Sequence, residues 1–171
     1  RIGGNISFIE GVGDKPEGSG FYPKDVSKEE FEAAAAVNPD LKGLYTMVVR
    51  DADETLRAIP YHEAFAAQMQ TAADELRAAA ELADDPGLQN YLSLRADALL
   101  TSDYRASDMA WMDMKDNRIE VVIGPIETYE DALFGYKAAA ETFVLVKDMS
   151  WSERLSRYAS LLPMLQEGLP V

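Results

Sequence analysis

The residues best suited to chemistry in this chain form one short run, Glu127-Thr128-Tyr129-Glu130-Asp131, set between two apolar segments. A carboxylate and a phenol two residues apart suit the gripping of an ammonium group and a peptide carbonyl. Glu127 leaves an apolar run through Gly124-Pro125-Ile126, which predicts that the pair sits at a rigid strand end. The same residues also read as a helix start. Thr128 would be the N-cap, Asp131 would complete a capping box, and Glu127 and Glu130 would favour the positive end of the helix dipole. Capping alone accounts for these residue types, so their spacing leaves both readings open.

Little else in the chain could carry a reaction. His62 is the single histidine and there is no cysteine. A three-ligand zinc site would therefore need His62 plus carboxylates, an uncommon set. Gly11-Val12-Gly13 is half of a dinucleotide fingerprint, but Asp14-Lys15-Pro16 follows where a helix should begin. Asn5-Ile6-Ser7 matches a glycosylation sequon by pattern only. Asp51, Asp53 and Glu54 resemble a calcium loop but lack its central glycine and distant glutamate, which predicts a turn. No Ser-His-Asp arrangement stands out. The expectation is a chain with no catalytic residue and no metal ligand of its own.

Composition narrows the partners. Thirty acidic residues against 16 basic ones give a net charge of −14, a field that repels phosphate backbones and anionic lipid. Neither nucleic acid nor membrane is expected as a partner, and no apolar run approaches the ~20 residues of a membrane-spanning helix. At 47% hydrophobic and 27% charged residues, the composition is that of a globular protein. The chain begins at Arg1 rather than Met, so an upstream region is expected to have been removed. Localisation, cytoplasmic or periplasmic, is not readable.

The elements that must position Glu127 and Tyr129 follow from periodicity and punctuation. Residues 1–26, rich in glycine, predict an irregular packing segment, and residues 27–171 an α+β portion; together they make one partial domain. Ser27 and Glu30 form a capping box for a helix stopped by Asn38-Pro39. Residues 44–50 and 55–59 read as a hairpin. Pro60 opens a long helix whose stripe is Tyr61, Phe65, Met69, Ala72, Leu76 and Ala79. Asp85-Pro86 caps a second helix to Thr101, and the two should form an antiparallel pair. A third helix over 102–115 carries Tyr104, Met109, Trp111 and Met112, types expected in the core at this spacing. Residues 118–124 and 142–147 read as strands, the second apolar on both faces and so interior. Ser150 and Glu153 cap a last helix that Pro163 restarts. The fold class is α+β, helix-dominated: an antiparallel helix pair plus a small sheet from a barrel-like core.

The segment IEVVIGPIETYED, with Trp111 upstream and FVLVKD downstream, resembles the central part of the dipeptidyl peptidase III family of zinc exopeptidases, in its bacterial branch. FYPKDVSKEEFE, LYTMVVRDAD with AIPYHEAF, and YASLLPMLQEGLPV resemble that branch in the same order. The resemblance implies a piece of a larger peptidase. Zinc would be held elsewhere in the parent by a helix with two histidines and an adjacent glutamate. It implies Glu127 as the residue receiving a peptide's N-terminal ammonium and Tyr129 as the one bonding the peptide near the scissile carbonyl. Short peptides and the remainder of the parent polypeptide would be the partners. Family members better known than this branch follow the tyrosine with Arg-Asp-Pro, where this chain has Glu130-Asp131-Ala132. The alternative is a noncatalytic acidic α+β binding domain that uses the same strand-to-helix edge.

Overall fold

The computed structural model describes residues 10, 11, 13, 15 and 17–169. The Asn5-Ile6-Ser7 triplet lies outside them, as do Val12, Asp14 and Pro16 around the half-fingerprint. The first helix, α1 (Lys28–Val37), starts where Ser27 Oγ accepts from the Glu30 N–H and stops at Asn38. Asn38 then caps a short 3-10 turn at Pro39. Phe31 and Leu41 pack with Tyr22 and Val48 to form the smaller of two cores, against which Phe134 lies.

Strands β1 (Thr46–Arg50) and β2 (Leu56–Pro60) pair antiparallel. Their turn is organised by Asp53, whose Oδ1 accepts from Thr55 Oγ1 at 2.6 Å and Thr55 N at 3.2 Å. That is turn chemistry, as expected. The long helix expected from Pro60 is broken. A single turn, α2 (Tyr61–Ala64), is separated from α3 (Ala66–Leu82) by Phe65 at φ −120° and ψ 32°. The two pieces answer to different partners: Tyr61 donates its N–H to Tyr45 O and its Oη–H to Ala138 O, while α3 packs on the next helix.

That next helix, α4 (Pro86–Thr101), begins with Asp85 Oδ1 accepting from Leu88 N at 2.7 Å and Pro86 at the first turn. Ala73, Leu76 and Ala80 of α3 meet Leu88, Leu92 and Ala96 of α4 in the larger core. An Arg77–Asp97 ion pair and a Gln89–Ala80 hydrogen bond run across the pair, as antiparallel packing requires. Ser102 takes the left-handed conformation (φ 60°) at the end of α4, so α5 spans Arg105–Asp113 rather than starting at residue 102. Tyr104 is buried as expected, but Met109, Trp111 and Met112 are exposed rather than in the core.

Strands β3 (Ile119–Glu127) and β4 (Ala139–Val146) form a second antiparallel pair. Among the described residues the two sheets have two strands each, and neither closes into a barrel. Among the described residues β4 pairs only with β3, and its Phe143–Val146 end is exposed, with Val146 at 79%. The expectation of an interior strand is thus corrected for the described residues: no other element of theirs pairs with or buries it. Asp148, not Ser150, caps α6 (Met149–Ala159), accepting from Ser150 N and Trp151 N. Pro163 lies in the first turn of α7 (Leu162–Glu167), as its ring demands. The α+β, helix-dominated class stands.

Candidate functional site

The site is built on the end of β3. Gly124 has φ +128°, a conformation that side-chain-bearing residues rarely adopt, and a Cβ there would lie 3.2 Å from the Tyr104 ring and 3.4 Å from Arg95 Nη1. Glycine lets the strand press on both. Next, the ladder skips: Pro125 faces Ala140 but Glu127 faces Ala139, so Ile126 is the extra residue of a β-bulge. Proline, which has no N–H to give to a ladder, is at home at such a position.

The helix expected to open between Pro125 and Asp131 does not form. The strand runs on to Glu127 and gives way to a turn in which Asp131 N bonds Thr128 O at 3.1 Å. Thr128 is not an N-cap. Glu127 Oε2 instead accepts from Glu130 N at 3.1 Å, which pins the carboxylate over its own turn. Its other oxygen, Oε1, is buried with no hydrogen-bond partner among the described residues.

Asp131 is the reason a helix loses here. Its buried carboxylate accepts from Tyr22 Oη at 2.6 Å, from Leu133 N and Phe134 N through Oδ1, and from Tyr136 N and Lys137 N through Oδ2. Burial pushes this carboxyl up, but the bonds from Tyr22, Lys137, Phe134 and Tyr136 together hold it below the usual carboxylate value. Lys137 is fully buried beside it and donates to Leu41 O, Gly43 O and Thr46 Oγ1 at 2.6–2.9 Å. Burial brings its ammonium down to about 8, and Asp131's charge opposes that fall. Glu130 is tied on the outer side by an ion pair to Lys15 and by Ser19 Oγ, which donates to its backbone carbonyl. Together these bonds hold the turn from both sides.

Tyr129 stands on this turn, 73% exposed, with its hydroxyl donating to Glu141 Oε1 at 3.4 Å. The charge of Glu141, followed by slight burial and the charge of Glu127, pushes its phenol upward. The structure therefore brings Glu127, Tyr129 and Glu141 together. Sequence reasoning missed Glu141 because the expected second strand began one residue after it. The available signal was the pairing itself, since Gly124 faces Glu141 across the ladder.

His62 lies apart in role: its Nδ1 is 2.8 Å from Ser102 Oγ, linking α2 to the end of α4. Among the described residues no group of three or more histidines, aspartates or glutamates is arranged to hold a metal ion.

The sequence model of peptidase family M49 matches residues 62–170, well over half of the chain. The chain belongs to that family. Its fold agrees: dipeptidyl peptidase III from Caldithrix abyssi superposes with a TM-score of 0.85 at 45% identity over 93% of this chain. Dipeptidyl-peptidase III from Corallococcus sp. strain EGB superposes at 0.82, with 37% identity over 97%. A curated Arabidopsis thaliana protein, Nudix hydrolase 3, is 32% identical over 182 aligned positions that take in 92% of this chain. The M49 chain spans 31% and 32% of the two solved relatives and 23% of the plant protein.

Proposed function

We propose that this M49 chain supplies substrate-positioning residues to a dipeptidyl peptidase III-type zinc exopeptidase acting on short peptides. Glu127 receives the peptide's N-terminal ammonium, and Tyr129 bonds a peptide group near the scissile carbonyl. The observation that carries the reading is the buried Glu127 Oε1, an acceptor left without a partner on a carboxylate whose other oxygen is pinned. A buried unsatisfied acceptor is costly unless a ligand donor meets it. An ammonium has three such donors.

Zinc, in this reading, is held by the remainder of the parent polypeptide and supplies the Lewis acid for hydrolysis. That remainder also covers the apolar side chains that α6, α7 and β4 present. The test uses a full-length M49 polypeptide carrying this sequence, with zinc content as the control. Glu127→Ala is expected to lower kcat/KM on an unblocked peptide roughly 30–150-fold, the range for loss of a charged hydrogen bond. Tyr129→Phe is expected to lower it by a smaller factor. Unchanged kcat/KM in both variants would discard the assignment. A noncatalytic acidic binding domain that uses the same strand-to-helix edge is the second reading, favoured by the exposed Tyr129 ring beside Glu141. Full zinc loading of the parent with no peptide cleavage would support that alternative.

A further inference from the structure

The antiparallel ladder ends with Glu127 opposite Ala139, and Ala138, the residue a regular ladder would offer to Glu127, is engaged elsewhere. Its N–H donates to Leu44 O and its carbonyl accepts from Tyr61 Oη, both at 2.9 Å. Lys137, one residue earlier, is fully buried, and its backbone N–H donates to Asp131 Oδ2 at 3.0 Å. Its ammonium crosses to the same stretch that holds Ala138, donating to Leu41 O at 2.6 Å, Thr46 Oγ1 at 2.8 Å and Gly43 O at 2.9 Å. Three ammonium donors thus meet three oxygens, none of them a carboxylate. The Tyr22 ring, whose hydroxyl donates to Asp131, closes the remaining side with its centroid 5.7 Å from Nζ.

We infer that Lys137 is a positioning residue for the Glu127 carboxylate: its ammonium clamps the approach to β4 onto residues 41–46, keeps Ala138 out of the ladder, and so holds Glu127 opposite Ala139 with Ile126 bulged out. The sheet itself holds this pairing weakly, because Pro125, the last ladder residue before the bulge, has no N–H to donate. What selects the bulged register is therefore outside the sheet, in the contacts of residues 137 and 138. Burying an ammonium carries a desolvation cost that an apolar side chain of similar bulk would avoid. A buried charge is best attested where it fixes a register, and here three stretches distant in sequence meet at one side chain. Lys137 acts through the backbone that carries Glu127 and touches no peptide. The inference rests on the role proposed for Glu127.

The test uses a full-length M49 polypeptide carrying this sequence, with zinc content and far-UV circular dichroism as controls. Its readout is the preference for a free N-terminus: the ratio of inhibition constants for N-acetyl-tetra-alanine and tetra-alanine against hydrolysis of a dipeptidyl naphthylamide. A variant that merely loses folded molecules loses kcat and keeps this ratio. Glu127→Ala is expected to lower the ratio about tenfold or more. Lys137→Met, which keeps the bulk of the stem, is expected to lower it about fivefold. The double variant is expected to lie within about twofold of Glu127→Ala alone, since residues that act through one another are not additive. Thr46→Val removes one oxygen of the clamp and Tyr61→Phe the bond to Ala138 O. Each is expected to lower the ratio about twofold, and these two decide the matter where Lys137→Met does not fold. A zinc-loaded Lys137→Met protein with the parent's ratio would overturn the inference, as would fully additive losses in the double variant. So would the parent's ratio in both Thr46→Val and Tyr61→Phe where Lys137→Met does not fold. The parent's ratio in Glu127→Ala would discard the role of Glu127 and this inference with it, whereas a loss there with none at the clamp discards the inference alone.

Discussion

Asp131 shows how one side chain can settle the shape of a site. In sequence it reads as the far half of a capping box. In the structure it gathers a tyrosine hydroxyl and four backbone N–H groups. Replacing it by asparagine leaves several of these buried donors poorly met and is expected to cost about 2–4 kcal/mol in urea unfolding at pH 7. Its folded carboxyl lies below the ordinary value of about 3.9, so the stabilisation is present above pH ~4 and lost as pH falls through the lower folded value. The Asp131→Asn protein should lack that part of the acid limb. Lys137 works in the other direction. With a folded value of about 8 against ~10.4 unfolded, the unfolded chain binds more protons between those two pH values. Stability relative to a Lys137→Gln variant should therefore rise from pH 8 toward 10, and a flat difference across that window would contradict the assignment. Neither role was legible in the sequence, because Tyr22 is 109 positions from Asp131 and Leu41 is 96 from Lys137.

Elements defined by local signals were legible: the Ser27 cap, the Asp85-Pro86 helix start, the Asp51–Thr55 turn and the α3–α4 pair all follow from neighbours in sequence. Elements whose limits depend on distant contacts were not. β3 runs three residues past the point where its alternation fades, because Gly124 lets it lean on Tyr104 and Arg95 and the bulge absorbs Ile126. Phe65 interrupts a helix whose stripe looked continuous, since Tyr61 is committed to Tyr45 and Ala138. The close approach at Gly124 gives the element-scale prediction. Gly124→Ala combines an unfavourable φ with contacts on two buried side chains, and is expected to lower stability by about 1–3 kcal/mol in a denaturant titration. A change within 0.5 kcal/mol would mean that the strand end can relax away from Tyr104.

At the scale of the whole molecule, polar and apolar surface are unevenly shared. The net charge of −14 favours dispersal, yet α6 and α7 bury none of their side chains and present Trp151, Leu155, Tyr158, Leu162 and Leu165. The periodicity of that stripe was legible; the absence of a partner for it among the described residues was not, because a sequence shows which face is apolar but not what covers it. Contiguous apolar surface of this kind drives association. The 171-residue chain is expected to self-associate at tens of micromolar in sedimentation velocity, and Leu155→Glu with Leu165→Glu should return it to a monomer. A 171-residue chain monomeric at every concentration would count against an apolar docking face. Family membership was legible because it rests on an ordered set of short matches. Glu141 was not, because its place beside Tyr129 depends on the register of two strands.

The bulge at Ile126 makes the site sensitive to parity rather than to length. Cross-strand partners share a face, and neighbours along a strand do not. Glu127 opposite Ala139 therefore lies on the same face as Glu141, which is opposite Gly124. Were the ladder to run on without its extra residue accommodated, Glu127 would fall opposite Ala138 and turn to the other side. Removing Ile126 outright preserves the carboxylate's side, whereas straightening the strand around an intact Ile126 reverses it. Relatives one residue shorter here can keep the same hand, and a conservative exchange that regularises the strand is the more disruptive change.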